Sequence, residues 1–121
     1  MTTDTKINTL LVQLLKDTFN GSVRWVRTTP PRYLSHATEE VVPLYFESEY
    51  MGLVVGVYEA RYRYYRDEDE YYWMSEPRFA IVQDGAVVFE LRESSPALNQ
   101  LFDAVRKQAS GLDSIIDGML R

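Results

Sequence analysis

The stretch Leu53–Tyr65, LVVGVYEARYRYY, decides the fold of this chain. Its charged residues, Glu59, Arg61 and Arg63, all fall at odd-numbered positions, and a period of two is the signature of a β-strand. We therefore predict a long strand that buries its even-numbered face against a core. That face consists of Val54, Gly56, Tyr58, Ala60, Tyr62 and Tyr64.

Four further stretches show the same alternation and predict the rest of a sheet. They are Ser22–Thr28, Glu39–Tyr50, Tyr71–Gln83 and Ala86–Arg92. Pro43 predicts an edge position or a bulge in the second stretch, and Glu76-Pro77 predicts an interruption in the third. Met51-Gly52 and Asp84-Gly85 are typical of tight hairpin turns, so neighbouring strands are expected to pair antiparallel. In the last strand we expect three buried side chains, Val87, Phe89 and Leu91.

Two stretches with helical periodicity flank the sheet. The first is predicted to begin at a cap supplied by Thr3 or Asp4 and to end at Asn20-Gly21. The second is predicted to begin at Ser95-Pro96, since Ser is a favoured cap and Pro a favoured first helical residue. Their apolar stripes consist of Ile7, Leu10, Leu11, Leu14 and Leu15 before the sheet and of Leu98, Leu101, Phe102, Val105 and Ala109 after it.

Gly111 ends the second helix, and Leu112–Leu120 is predicted to form a short last one with four side chains pointing inward: Ile115, Ile116, Met119 and Leu120. Strands that follow one another without helices between them pair antiparallel. We therefore predict an α+β fold, an antiparallel meander of about five strands with an N-terminal helix and a C-terminal helix pair, the helices mainly on one face. A length of 121 residues without linker or repeat predicts one domain over residues 1–121.

Two segments at the ends of this pattern resemble a recurrent type of small, functionally uncharacterised bacterial protein. They are LLVQLLKDTFNGSVRW at 10–25 and LFDAVRKQASGLDSIIDGML at 101–120. In that type a helix ending in Gly leads to a strand with Trp, then to a meander and a C-terminal helix pair. The resemblance covers about a third of the chain and implies the fold alone. It carries no functional residues across.

Composition excludes several classes of function. The chain has no cysteine, which excludes disulfides, thiolate metal sites and cysteine nucleophiles. Its net charge of −5 disfavours nucleic acid and anionic membranes as partners. The N-terminal residues have no secretory pattern and no apolar stretch is long enough to span a bilayer, so we expect a soluble cytoplasmic protein.

The candidates for chemistry are weak. Asp67–Glu70 is acidic, but the spacing fails the EF-hand pattern because Tyr72 stands where Gly is needed and Arg78 where Glu is needed. The only histidine, His36, lies in a polar loop, Arg32–Thr38, with Ser35 beside it and no evident catalytic partner. We therefore predict no catalytic residues, no metal ligands and no cofactor, and an enzyme is the less favoured class.

Two motifs could suggest nucleotide or RNA binding. Gly52-x-x-x-Gly56 lies inside strand sequence without a following Lys or helix, so it is not a phosphate loop; Gly56 indicates the close approach of a helix or a large side chain. Six arginines could share the exposed sheet face with tyrosines, as in some RNA-binding modules: Arg24, Arg27, Arg61, Arg63, Arg78 and Arg92. Opposite-charge pairs with Glu59, Glu76 and Glu90 explain the same pattern without a ligand and are favoured.

The most specific hypothesis concerns the aromatic residues, nine Tyr, five Phe and two Trp. A strand over Leu53–Tyr65 extends about 43 Å at ~3.3 Å per residue, whereas the helix Pro96–Ala109 spans about 21 Å at ~1.5 Å per residue. The far half of the central hairpin is therefore predicted to extend beyond the helices and to contact a protein, either a second copy or another partner. The residues expected in this interface are Tyr58, Tyr62, Tyr64, Tyr65, Tyr71, Tyr72 and Trp73.

Two alternatives remain open. A twisted sheet could pack the same tyrosines under the helices, which would make them part of an ordinary core. In function, the alternative to a non-catalytic interaction or accessory domain is a small-molecule binding domain with a pocket between helices and sheet. Trp25, Phe46 and Tyr58 are the residues expected to line it.

Overall fold

The computed structural model describes residues 2–32, 34 and 40–120. The elements are α1 (Thr3–Phe19), β1 (Val26–Arg27), β2 (Val41–Tyr50), β3 (Leu53–Tyr65), β4 (Tyr71–Gln83), β5 (Ala86–Leu91), α2 (Pro96–Ser110) and α3 (Leu112–Met119). The strands form one antiparallel sheet in the order β1-β2-β3-β4-β5. The predicted α+β fold, with a five-stranded meander between an N-terminal helix and a C-terminal helix pair, is confirmed.

Both predicted two-residue hairpin turns are present. Met51 and Gly52 have φ angles of 53° and 82°, and Asp84 and Gly85 have 53° and 79°. Two successive positive φ angles match the right-handed twist of the strands on either side. These turns fix the register of β2 against β3 and of β4 against β5.

The first predicted strand is shorter than expected, because its beginning is bound to a helix. Only Val26 and Arg27 pair with β2. The Trp25 amide donates to Gln108 Oε1 of α2 at 2.8 Å, and Gln108 Nε2 donates to the Val23 carbonyl at 2.8 Å. One side chain of α2 therefore satisfies the Val23 carbonyl and the Trp25 amide, and Val23 and Trp25 are buried in the core.

The two strand prolines have different effects. The register of β2 against β3 shifts between Val41 and Leu44, which confirms the predicted bulge at Pro43. The predicted interruption at Glu76-Pro77 is wrong, since β4 runs through it without a break. Pairing between β4 and β5 ends opposite Phe79, so among the described strands β4 has only β3 beside it at Pro77. Proline is tolerated at such an edge.

The helices cover the odd-numbered face of β3, not the even-numbered face that the sequence predicts. Val55 and Val57 pack with Phe79 of β4 in a buried cluster beneath α1 and α2. The even-numbered Tyr58 and Ala60 belong to a second cluster on the opposite face, with Leu34, Tyr45 and Ala80. The middle of β3 is thus buried on both faces, and the charged positions that suggested a wet face lie further along the strand.

A bulge in β5 directs its side chains to both of these clusters. Ile81 pairs with Phe89 but Val82 pairs with Val87, so one residue of β5 is left over between them. Phe89 and Leu91 pack against the helix-side cluster, whereas Val87 packs on the opposite face. All three side chains are partly buried, as predicted. The alternation implied that they lie on one face of the sheet, but they are divided between two.

The ends of the helices follow the sequence signals with one shift. Ser95 Oγ accepts a hydrogen bond from the Leu98 amide at 3.2 Å, and Gly111 ends α2 in the left-handed conformation, φ 65°. The cap of α1 is Thr2 and not Thr3 or Asp4, because Thr2 Oγ1 accepts from the Thr5 amide at 3.3 Å.

The predicted short last helix is present as α3, but the predicted burial of its apolar side chains is wrong. Ile115, Ile116, Met119 and Leu120 were expected to point into the core, yet they are 50%, 42%, 74% and 69% exposed. α3 has no buried residue, and its main contacts are with α2. Helical periodicity correctly indicates an apolar stripe, but it does not indicate what the stripe faces.

Gly56 lies where the Tyr45 ring crosses β3, as the sequence led us to expect of a close approach. A Cβ atom at position 56 would lie 2.6 Å from Tyr45 Oη and 2.7 Å from its Cε2. Tyr45 itself is 1% exposed, so its ring has little room to shift. The glycine therefore makes space for a buried ring.

We expect Gly56→Ala to lower the free energy of unfolding by about 1–3 kcal/mol, as overpacking of a filled core does. Urea unfolding measures this loss. The matched control is Gly118→Ala in α3, where an added Cβ has no atom within 4 Å and the change favours the helix by up to about 1 kcal/mol. Equal effects of the two substitutions would contradict the steric role of Gly56.

Candidate interaction site

The β3–β4 hairpin outruns the strands on both sides of it. Pairing of β2 with β3 ends at Val41 opposite Arg61, and pairing of β5 with β4 ends at Leu91 opposite Phe79. β3 and β4 continue to pair with each other as far as Tyr65 opposite Tyr71. We call residues 61–74 the aromatic ribbon.

The aromatic ribbon exposes large side chains on both of its faces. Six of them are about half exposed: Tyr64 49%, Tyr65 52%, Tyr71 48%, Tyr72 51%, Trp73 44% and Met74 37%. The alternative that the tyrosines of this hairpin pack under the helices does not hold for these residues. Tyr62, at the root, is intermediate in exposure.

The rings stabilise the ribbon by cross-strand contacts. On one face Tyr64 and Tyr72 lie opposite each other with ring centroids 5.2 Å apart. On the other face Tyr65 and Tyr71 are 5.6 Å apart, and Tyr71 meets Trp73 edge to face at 6.5 Å. Cross-strand aromatic pairs contribute roughly 0.2–1 kcal/mol each, which supports a two-stranded ribbon that would be marginal alone in water.

Two arginines stack on the Trp73 face of the ribbon. The guanidinium carbon of Arg63 lies 5.0 Å from the Tyr71 ring centroid and 5.3 Å from that of Trp73. That of Arg61 lies 5.9 Å from Trp73. These cation–π contacts hold two positive charges along the stem of the ribbon.

The tip of the ribbon is acidic and internally ordered. Asp67 Oδ1 accepts hydrogen bonds from the amides of Asp69 and Glu70, each at 2.9 Å, and the Arg66 amide donates to the Glu70 carbonyl at 2.9 Å. The Asp67 carboxylate therefore stabilises the turn by accepting hydrogen bonds from its backbone. Over residues 2–32, 34 and 40–120, no three His, Asp or Glu side chains are grouped as metal ligands.

Tyr58, which we predicted to contribute to the contact surface, is buried within the subunit at 1% exposure. Its hydroxyl donates to Glu90 Oε1 at 2.8 Å, and burial together with this carboxylate raises the pKa of Tyr58 above its ordinary value. The exposed surface thus begins after Tyr58, because the cluster around Leu34 and Tyr45 covers the sheet there.

A charged cluster lies at the root of the ribbon: Arg78, Arg92, Glu40, Glu76 and Glu90. Arg78 is 4% exposed, and its Nη2 donates to Glu40 Oε1 at 3.1 Å and to Glu76 Oε1 at 3.0 Å. Arg92 Nη2 donates to both oxygens of Glu40, at 2.9 and 3.0 Å. Although burial opposes its charge, the hydrogen bonds from Glu40 and Glu76 raise the pKa of Arg78.

This cluster also contacts the ribbon, since the Arg78 guanidinium carbon lies 5.9 Å from the Tyr62 ring centroid. Glu40 was not foreseen as a member of the cluster, because it is distant from Arg78 in the chain and meets it only through the meander. Paired charges, which the sequence analysis favoured over an RNA-binding face, do account for Arg78 and Arg92. The six arginines do not share one face, since Arg61 and Arg63 lie on the face opposite Arg78.

The residues expected to line a pocket between helices and sheet are not brought together. Trp25 and Phe46 belong to the helix-side cluster and Tyr58 to the opposite one, so the three residues cannot line one pocket. Gly52 lies in a hairpin turn and Gly56 in β3, which continues to Tyr65, so no helix begins at this motif. His36, Ser35 and Glu39 lie outside the described residues.

Comparisons with protein-family models, curated proteins and solved structures give no match. Among the helices of the described residues, none combines the length and the apolar character that crossing a membrane requires. The α+β fold and the exposed aromatic ribbon therefore carry the functional argument.

The charged cluster makes a prediction for stability against pH. The hydrogen bond from Arg78 holds the pKa of Glu40 below its ordinary 4.5, against the opposing effect of burial. A carboxyl group whose pKa is lower in the folded chain stabilises the fold fully above pH 4.5, and this contribution is lost as the pH falls. Glu40→Gln is therefore expected to cost about 1.5–3 kcal/mol at pH 7, as the loss of a hydrogen-bonded charge does.

Urea unfolding of wild type and Glu40→Gln between pH 3 and pH 7 tests this, with exposed Glu93→Gln as the control. The difference between wild type and Glu40→Gln should shrink as the pH drops below 4.5. A difference that stays constant with pH would show that the carboxylate charge is not what stabilises the cluster.

Proposed function

We propose that this chain is a non-catalytic protein-interaction domain that forms a homodimer through the aromatic ribbon. The observation that carries the proposal is the exposure of six large aromatic or Met side chains, 37–52% each, on a hairpin that extends past its neighbouring strands. Contiguous exposed apolar surface of this kind is typical of contact sites. Tyr, Trp, Met and Arg, the residues that compose it, are enriched in interface cores.

A second copy of the chain is the partner that the charges favour. The stem carries Arg61 and Arg63, and the tip carries Glu68, Asp69 and Glu70. A two-fold interface must be complementary to itself. Two ribbons packed antiparallel meet that requirement, because the acidic tip of each then faces the basic stem of the other.

The backbone favours the same arrangement. Among the described strands, nothing pairs with β3 beyond Arg61 on the side away from β4, and nothing pairs with β4 between Tyr71 and Arg78 on the side away from β3. Open strand edges are templates for pairing with another chain. An antiparallel ribbon from a second copy supplies both an edge and a set of rings to such a contact.

The exposed apolar area of the ribbon limits the affinity of the dimer. A fully buried aromatic side chain accounts for about 150–250 Å², so the five half-exposed rings and Met74, divided between the two faces of the ribbon, offer at most roughly 600 Å² per copy. A standard interface buries about 800 Å² per partner. We therefore expect a weak dimer that dissociates on dilution.

The first test removes the rings. Tyr65→Ser/Tyr71→Ser deletes the ring pair on the face that carries Arg61 and Arg63, where each ring is about half exposed. We expect a lower average mass than wild type by sedimentation velocity at equal concentration, with a melting temperature that falls by a few degrees at most. The control is Phe19→Ser, a 74% exposed aromatic at the end of α1. Unchanged mass in the ribbon variant, or an equal loss in the control, would contradict the proposal.

The second test exchanges the charges. Arg61→Glu/Arg63→Glu makes stem and tip both acidic, and Glu68→Lys/Asp69→Lys makes the tip basic while leaving the Asp67 hydrogen bonds of the turn in place. Each variant alone should self-associate less than wild type, because like charges then face each other. Mixing the two should raise the average mass, since each stem meets a tip of opposite charge. A mixture that behaves as the sum of its parts would exclude antiparallel pairing.

A further inference from the structure

The short helix α3 presents an apolar stripe to solvent. At 100° per residue, Ile115, Met119, Leu112, Ile116 and Leu120 fall in that order within one arc of about 140°. Asp113 and Asp117 border the arc on one side. Four of these apolar side chains are 42–74% exposed, and none of the helix is buried. α3 is therefore an amphipathic helix, and no helix or strand in the described part of the subunit covers its apolar stripe.

A groove of about 490 Å³ lies beside the start of this helix, between β2 and the end of α2. Its apolar lining comes from Leu44, Phe46 and Ala109, and Leu112 forms part of its rim. Arg27 and Arg106 add positive charge, while the charge of Lys107 is offset by Asp103 at 3.3 Å. The groove thus combines apolar and cationic groups, which is the complement of the apolar and acidic surface of α3.

The connection between α2 and α3 is too short for α3 to occupy the groove of its own chain. Antiparallel helix hairpins need a loop of about two to five residues, but Gly111 alone separates α2 from α3. α3 therefore cannot fold back along α2 to cover the groove that begins at its own root. A second copy has no such restriction.

A membrane surface is a poorer match for the stripe than a protein. Helices that lie on membranes carry Lys and Arg on their polar face, which attract anionic lipids. The polar face of α3 carries Asp113 and Asp117 instead. This choice of charge favours the cationic groove.

We infer that α3 of one copy docks into the groove of a second copy, with Ile116 and Met119 against Leu44 and Phe46 and with the aspartates near Arg27 and Arg106. Each α3 starts at the rim of its own groove. In a two-fold arrangement, the α3 of each copy can therefore lie in the groove of the other copy. Such an exchange is closed and isologous. It is a second interface, separate from the aromatic ribbon and independent of the proposal made for it.

The experiment isolates this interface in the Tyr64→Ser/Tyr65→Ser/Tyr71→Ser/Tyr72→Ser background, which lacks the ring pairs of both ribbon faces. Sedimentation equilibrium of that variant should still give dimers at high concentration. Adding Ile116→Asp should raise the dissociation constant at least about tenfold, the size expected for an interface hot spot. The matched control is Ser114→Asp, which adds the same charge on the opposite, polar side of α3 and should leave the dimer unchanged.

Charge exchange gives an independent readout in the same background. Asp113→Lys/Asp117→Lys and Arg27→Glu/Arg106→Glu should each weaken the dimer, and an equimolar mixture should regain it as a heterodimer. A ribbon variant that is monomeric at every concentration would overturn the inference, as would equal effects of Ile116→Asp and Ser114→Asp. Because the ribbon is already disabled, none of these outcomes depends on whether the ribbon itself dimerises.

Discussion

The pairing of β3 with β4 is the constraint on which the rest of the structure depends. Twelve residue pairs join the two strands without a break, from Val54 opposite Val82 to Tyr65 opposite Tyr71. β2 and β5 accompany only part of this ladder, and the helices lie over the same part. One half of the hairpin is therefore a central piece of a covered sheet, and the other half is a ribbon in solvent.

The covered half is buried on both faces, and the two faces are built differently. The helix side is apolar, with Val55, Val57 and Phe79 under α1 and α2. The opposite side combines buried rings with the charged cluster around Arg78. Burying a charge is costly unless it is paired and hydrogen-bonded, and Arg78 meets this condition through Glu40 and Glu76. The cluster also contacts Tyr62, so the root of the ribbon is fixed by polar geometry and not by packing alone.

The sequence predicted the elements of this fold well and their faces poorly, for a physical reason. Alternation reports that a segment is a strand, but a strand that is buried on both faces offers no sign of which face the helices cover. In β3 the charges begin only at Glu59, beyond the doubly buried middle. The overhang was predictable because it follows from the lengths of strand and helix. The bulge in β5, the outward stripe of α3 and the meeting of Glu40 with Arg78 depend on tertiary contacts, which no local pattern encodes.

The hydrogen bonds made by Gln108 affect the order in which the parts of the chain fold. This single amide satisfies the backbone at Val23 and Trp25, more than eighty positions earlier in the sequence. Contacts of such long range form late, since the intervening chain must first be brought together. During synthesis the segment after α1 has to wait for α2 to emerge before these hydrogen bonds can form. The meander, whose contacts are between neighbours in sequence, is then free to assemble first and to serve as the platform on which both ends are joined.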